Sequence, residues 1–372
     1  MSSLGSVCVI GGGLVGVLGG YRLAQQKLDV TLVEMHEIGA AASSAAAGLL
    51  APFAEHEQDS PLFRAAADAR QRYFAVCEEL EAATQLKIGR ARSGLGFVAL
   101  DVVQARKLKA RVEWLRAAGF AAEWRDDAQS VHKEIAPEMA GAAVFPDEAW
   151  IAPRELMAAA GRAARLADVK IIEHRRAVRV QAGPSGFEVQ LEDGTAKVFD
   201  RVVIAGGAWS SRLPIVDKNG ADLRASVGIE ETSVEPVRGV LLHADWAPHT
   251  LDTIIMLRGG YVVPRGGSSV IIGTSSEDAG FDATVTIDAI ASIEARVHRV
   301  VPSLGNARIV DRWAGLRPYA RRERPIIAET KIPGLFYATG HYRNGILLAP
   351  LTAEVVAALV SGTAHPHAAA FR

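Results

Sequence analysis

The chain has 372 residues, 49% of them hydrophobic, with six tryptophans and a formal charge of −1. That length and apolar fraction give a folded protein with room for two domains and exclude a disordered chain. The near-neutral balance excludes bulk attraction to nucleic acid or to an anionic membrane surface, so recognition must be local.

Residues 7–16 read Val-Cys-Val-Ile-Gly-Gly-Gly-Leu-Val-Gly. The uncharged, β-branched start predicts a buried strand, and Gly11, Gly13 and Gly16 complete a G-x-G-x-x-G where a helix opens. Such glycines serve a tight turn, close approach of a pyrophosphate to the backbone, and close helix–sheet packing, with the phosphates on the helix N-terminus. Leu14 and Val15, between those glycines, join the cofactor-binding group. A second strand over 30–33 ends in Glu34, placed to accept hydrogen bonds from an adenosine ribose.

Nearly every side chain from 40 to 52 is small. An alanine-rich helix start is one reading. The serines and glycine lower helix propensity and suit a backbone lying against a ligand, which brings in Ser43, Ser44, Ala46, Ala47, Gly48 and Leu50. Helical spacing follows over 61–80 and 103–115, with a strand over 96–100 between them. The segment 123–153, with Pro137, Pro146 and Pro153, predicts an irregular excursion.

Pro153 opens a helix to about Ala167. Strands over 169–173, 177–181 and 187–192 predict a small antiparallel meander. A buried strand over 202–204 ends at Ala205 and Gly206, with Trp209 close behind, and predicts a return to the cofactor domain. Between 211 and 317 the texture is hairpins, with strands over 237–243, 254–257, 261–264 and 270–272 and one helix over 287–300. Buried strands over 326–328 and 335–338 lead to Gly340, His341, Arg343, Asn344 and Gly345. An apolar helix then runs from Ile346 to Val360, with Pro350 expected in its first turn and Asn344 as its N-cap.

No apolar run reaches the roughly 18 residues that span a bilayer, and the N-terminus leaves no room for a signal peptide. Cys8 and Cys77 form no C-x-x-C pair and read as core thiols of a cytoplasmic protein. The histidines lack metal-ligand spacing, so no metal is expected. The predicted fold is α/β: a Rossmann-type domain from 1–60, 150–215 and 318–372, and an interleaved α+β substrate domain from 61–149 and 216–317 on a mostly antiparallel sheet. The four small-residue segments around Gly13, 43–48, Gly206 and Gly340 suit one extended ligand such as FAD. An NAD-dependent dehydrogenase would also use Gly13 and Glu34.

Several longer motifs carry a resemblance: Ala45 to Pro52, Ala205 to Ser210, Tyr261 to Arg265, Trp313 to Pro318, and Gly-His-Tyr-Arg-Asn-Gly-Ile-Leu-Leu-Ala-Pro from Gly340 to Pro350. In these the chain resembles the FAD-dependent oxidases of the D-amino acid oxidase superfamily, and within it the glycine oxidases of thiamine thiazole biosynthesis. The resemblance implies FAD stretched across the Rossmann part without a covalent bond, since no cysteine follows Cys77. It implies oxidation of glycine or a small amine-bearing acid by hydride transfer from the α-carbon to flavin N5, with O2 reduced to hydrogen peroxide. For glycine the products are glyoxylate and ammonia, and the intermediate imine feeds thiazole formation. Sarcosine, small D-amino acids and a flavin dehydrogenase with another acceptor stay open.

Carried over by position, Arg317 matches the arginine that grips the substrate carboxylate, Tyr261 the tyrosine beside it, and Arg343 the arginine of the C-terminal motif near flavin and substrate. An ordinary ion pair for Arg317 and a core role for Tyr261 compete with these. Gly259, Ser276 and Tyr319 depart from the residues expected in glycine oxidases, and all three are expected near the pocket. Relatives commonly assemble, which leaves a homo-oligomer open.

Overall fold

The computed structural model describes residues 5–224 and 234–371. The readings that touch residues 1–4, 225–233 and 372 lie outside the described residues.

The opening unit is β1 (Ser6–Ile10), α1 (Leu14–Gln25) and β2 (Asp29–Val33). The small-residue segment becomes a short helix α2 (Ala42–Ala45), then β3 (Leu49–Leu50) and one turn, α3 (Pro52–Glu55). Helix α4 (Pro61–Thr84) starts where Ser60 Oγ accepts from Phe63 N at 3.0 Å, with proline in its first turn. Next come β4 (Arg90–Ala91), β5 (Leu95–Val98) and α5 (Val102–Ala117), the last capped by Asp101.

Residues 123–153 are less irregular than expected: they hold β6 (Glu123–Arg125), β7 (Ala142–Phe145) and β8 (Ala149–Ile151). These strands are too short to announce themselves by alternation, and they form because β5 and β3 offer open edges to pair with. Then follow α6 (Pro153–Leu166), β9 (Lys170–Ile172), β10 (Ala177–Gly183), β11 (Gly186–Leu191), β12 (Ala196–Phe199), β13 (Arg201–Ile204) and β14 (Ile215–Val216).

The second half holds β15 (Val234–Asp245), β16 (Ile254–Leu257), β17 (Gly260–Pro264), β18 (Ser269–Gly273) and α7 (Ile287–Val300). It ends with β19 (Arg308–Ala320), β20 (Ile326–Glu329), β21 (Leu335–Thr339) and α8 (Gly345–Val360).

Two large sheets result. One has six strands in the order β20-β21-β13-β1-β2-β9, in which β21, β13, β1, β2 and β9 run parallel. Strand β9 therefore belongs here, paired with β2, and only β10, β11 and β12 make the antiparallel meander. The other sheet has eight strands in the order β19-β15-β18-β17-β16-β5-β7-β6, antiparallel except for β16 with β5. Strand β19 was not expected. Its polar, exposed first half hides the pattern, and it exists because it pairs with β15 over its length. Pro318 sits in this edge strand, the position in a sheet where proline is tolerated.

Helix α8 differs from expectation twice. With the preceding turn, residues Tyr342–Val360 are long and apolar enough to cross a membrane, but 72% of that window is buried inside the protein. It is a core helix, packed on α1 and α4. Pro350 also lies inside it rather than in its first turn. A proline there leaves the carbonyl four residues back without its helical donor. That carbonyl belongs to Ile346, and the buried Tyr73 hydroxyl donates to it at 2.9 Å.

Candidate active site

The parallel strands β1, β2, β13 and β21 end at one edge of the six-stranded sheet, where ligands of such folds bind. Between that edge and the face of the eight-stranded sheet lies a cavity of about 570 Å³. Gly11, Gly13, Leu14, Val15, Glu34, Ser43, Ala46, Ala47, Gly48, Ala205, Gly206 and Trp209 line one part. Tyr261, Arg317, His341, Arg343, Asn344, Gly345 and Ile346 line another. Four expected residues stand off it. Gly16 packs α1 on β1, where a Cβ would fall 2.0 Å from Gly11 O. Leu50 is in the core, the Ser44 backbone N–H donates to Gly39 O, and Gly340 (φ +76) makes room for Ala320.

At the glycine turn the two kinds of glycine separate. Gly11 has φ +114 and a Cβ there would lie 2.4 Å from Ala205 O, so the protein's own packing demands it. A Cβ on Gly13 would meet only Ser43 Oγ, at 3.3 Å, so its bareness serves whatever enters the cavity. Leu14 N donates to Ser43 Oγ at 2.9 Å, which fastens the small-residue strap to the start of α1. Glu34 accepts from Gly12 N at 2.6 Å and from His36 N at 2.9 Å, and holds the turn while lining the cavity.

The strap is held from the opposite sheet too. Trp313 Nε1 donates to Ala45 O at 2.9 Å, and Arg265 Nη2 to Ala47 O at 2.5 Å. Gly315 admits Ala45, whose Cβ would stand 2.7 Å from a Cβ at 315.

Arg317 follows on the same face of β19. Its Nη1 donates to Ser275 O at 3.2 Å and its Nη2 to Thr274 Oγ1 at 2.5 Å, and its guanidinium lies over Gly239 of the paired strand. Among the described residues it has no carboxylate partner, so the ion-pair reading fails. Burial lowers its pKa below the ordinary arginine value, and the nearby Arg343 cation adds to this. A cation so placed favours an anion in the cavity.

Tyr261 is buried and lines the cavity, its ring seated against Gly273, rather than sending its tip to solvent. Burial opposes the Arg343 cation, but Glu55 and the Tyr342 hydroxyl outweigh it and hold its pKa above the ordinary value. Burial holds His341 near 4, so it is neutral, and its Nε2 meets Thr352 Oγ1 at 2.9 Å. Asn344 sits at the N-cap of α8 without a side-chain hydrogen bond.

The departures sort themselves. Gly259 lies in the turn before β17, against Arg296, and is not part of the cavity wall. Ser276 and Tyr319 both touch Tyr342: Ser276 Oγ is 3.4 Å from its hydroxyl, and the Tyr319 ring packs edge-on at 5.2 Å. Tyr342 itself lines the cavity with φ +48 and was not singled out, although it adjoins Arg343 in the terminal motif. Glu55, Arg176, Arg212 and Gly239 also line the cavity and carry no local sequence signal. Burial pushes both the Cys8 and Cys77 thiols up to about 12, and neither lines the cavity.

Glycine oxidase of Geobacillus kaustophilus is 33% identical over 360 residues, covering 95% of this chain and 92% of that protein. The bifunctional protein ThiO/ThiG of Synechocystis is 28% identical over 97% of this chain but only 52% of its own. The crystal structure of glycine oxidase from Geobacillus kaustophilus superposes with a TM-score of 0.91 at 32% identity, covering 97% of this chain and 96% of that one. The family model described as FAD dependent oxidoreductase matches residues 6–359, and with a glycine-floored cavity at the strand ends to receive the dinucleotide, the chain belongs to that FAD-dependent family.

Proposed function

We propose that the protein is an FAD-dependent oxidase of glycine or a comparably small amine-bearing acid, with O2 as acceptor. One observation carries the reading: Arg317, a guanidinium without an acid partner among the described residues, lines the same cavity as the dinucleotide turn. When bound, FAD supplies the two-electron oxidation of the substrate and the route of its electrons to O2. Gly11, Gly13, Glu34, Ser43 and the strap to Gly48 would hold it, with Ala205, Gly206 and the turn into α8, and no cysteine is available there for a covalent link.

Arg317 offers two parallel N–H groups to the substrate carboxylate, and Tyr261 lies beside it. Arg343 and the N-terminus of α8 set positive potential at the cavity end and favour negative charge that develops there. His341 is neutral, Glu34 is tied to two backbone N–H groups and Glu55 is drawn to the Arg343 cation, so no general base is assigned; the substrate amine enters neutral and orientation does most of the work. The imine would hydrolyse to glyoxylate and ammonia or feed thiazole formation, a reading that the name ThiO/ThiG of the Synechocystis relative supports. The two unpaired, buried cysteines favour a reducing compartment such as the cytoplasm. The division proposed is a cofactor part (1–60, 150–215, 318–372) and a substrate part (61–149, 216–317); the separation of most strands between the two large sheets supports it, while helix α4 packs on α6 and α8 and β19 runs on to Ala320. A panel of glycine, sarcosine and D-alanine, read by peroxide release, tests the proposal; turnover only with an artificial acceptor would make it a dehydrogenase.

A further inference from the structure

We propose that Arg296, on α7 and outside the cavity, is a positioning residue for the carboxylate anchor Arg317, acting through Thr274. The inference rests on the reading of Arg317 given above. Arg296 Nη2 donates to Thr274 O at 2.9 Å, and its Nη1 reaches Ser292 Oγ at 2.6 Å. The same Thr274 accepts from Arg317 Nη2 on its hydroxyl oxygen, and its own hydroxyl proton has Ser275 O at 3.1 Å and Val240 O at 3.2 Å as acceptors. Thr274 is 3% exposed, so it has no water to fall back on if either bond is lost.

Helix α7 packs on β17 and β18, which brings Arg296 past the turn before β17. Gly259 lies beside it: a Cβ there would make van der Waals contact with Arg296 Cδ at 3.6 Å and Nε at 3.7 Å. The Arg296 Nε is buried without a partner among the described residues. Arg296 thus gives up solvation to reach a carbonyl whose residue orients the anchor, and burial lowers its pKa accordingly. Gly239 leaves the Arg317 guanidinium its space, and Thr274 Oγ1 together with Ser275 O holds it there.

The test uses the FAD-loaded full chain with R296M, R296K, T274V and R317M. Steady-state peroxide release gives KM and kcat for the preferred amino acid. Titration with glycolate, a carboxylate without an oxidisable amine, gives Kd from the flavin absorbance, and a thermal scan checks folding. R296M is expected to raise KM and the glycolate Kd about tenfold, the loss of one hydrogen bond to a charged group, while kcat stays within about twofold. R296K, a point donor without the fork, is expected between wild type and R296M. T274V should match R296M, and the double variant should add little to either. Unchanged KM and Kd in R296M, or effects of R296M and T274V that multiply, would overturn the inference. If R317M itself leaves the glycolate Kd unchanged, the anchor reading falls first and the inference with it; if R317M weakens binding and R296M does not, only the inference falls.

Discussion

Gly239 and Arg317 lie on paired strands, and the guanidinium takes the space that any side chain at 239 would fill: a Cβ there would be 2.1 to 2.3 Å from its atoms. G239A should therefore push the anchor aside, raising KM for the amino acid by tenfold or more, on the order of 1.4 kcal/mol of binding, with FAD retained; a KM unchanged in G239A would place the anchor elsewhere. Glu148 is the other residue whose setting decides its behaviour. It is fully buried, accepts from Phe53 N at 2.6 Å, and has Arg70 Nη1 at 3.3 Å. Burial pushes its carboxyl from 4.5 up to about 8, against the pull of Arg70 and the Phe53 N–H. A folded-state pKa raised in this way means that the folded chain binds the proton more tightly. The contribution of Glu148 to stability is then present at low pH and declines as pH rises from about 4.5 through about 8. Urea midpoints at pH 5 and pH 9 should differ less in E148Q than in the wild type.

Strand β19 does two tasks because its alternate residues share a face. Trp313 fixes the strap at Ala45 O, Gly315 lets the strap approach, and Arg317 faces the same cavity. The distance between the cofactor bed and the carboxylate anchor is thus set along one stretch of backbone. W313F keeps the ring and loses the bond to Ala45 O, so it should slow flavin reduction under saturating substrate more than it alters KM, as stopped-flow absorbance would read. Helix α8 shows a comparable coupling. Pro350 frees Ile346 O, Tyr73 of α4 fills the gap, and Ile346 also lines the cavity. Y73F leaves a buried carbonyl unsatisfied and should cost about 1–3 kcal/mol in a denaturant titration. A P350A partner variant, in which the helix supplies its own donor, should make that loss smaller.

Across the whole molecule, the cavity is walled by both large sheets, so whatever fills it joins them. FAD bound to the folded state alone should stabilise it by about 2.7 kcal/mol at a hundredfold excess over Kd. Removing FAD should therefore lower the thermal midpoint, and adding it back should restore that midpoint in a concentration-dependent way.

The sequence by itself determined the parts whose chemistry is local. The glycine turn, Glu34 after its strand and the strap of small residues each sit within a few residues, and their side-chain types suit a dinucleotide pressed against backbone, while the C-terminal Arg343 motif speaks through its resemblance to the family. Hydrophobic period placed α4, α5 and α7 because a core-facing helix repeats its apolar positions, and Pro153 marked the start of α6. Tertiary structure alone decided what depends on register and pairing. It assigned β9 to the parallel sheet and β19 to the edge beside β15, and it put Gly239 under Arg317 from a strand some eighty positions away. It also set Gly259 behind Arg296 instead of in the cavity wall, and gathered Ser276 and Tyr319 on Tyr342. A chain records which side chains can bind a flavin or a carboxylate; which of them meet is fixed only when strands choose partners, because a shift of one residue sends every side chain to the opposite face.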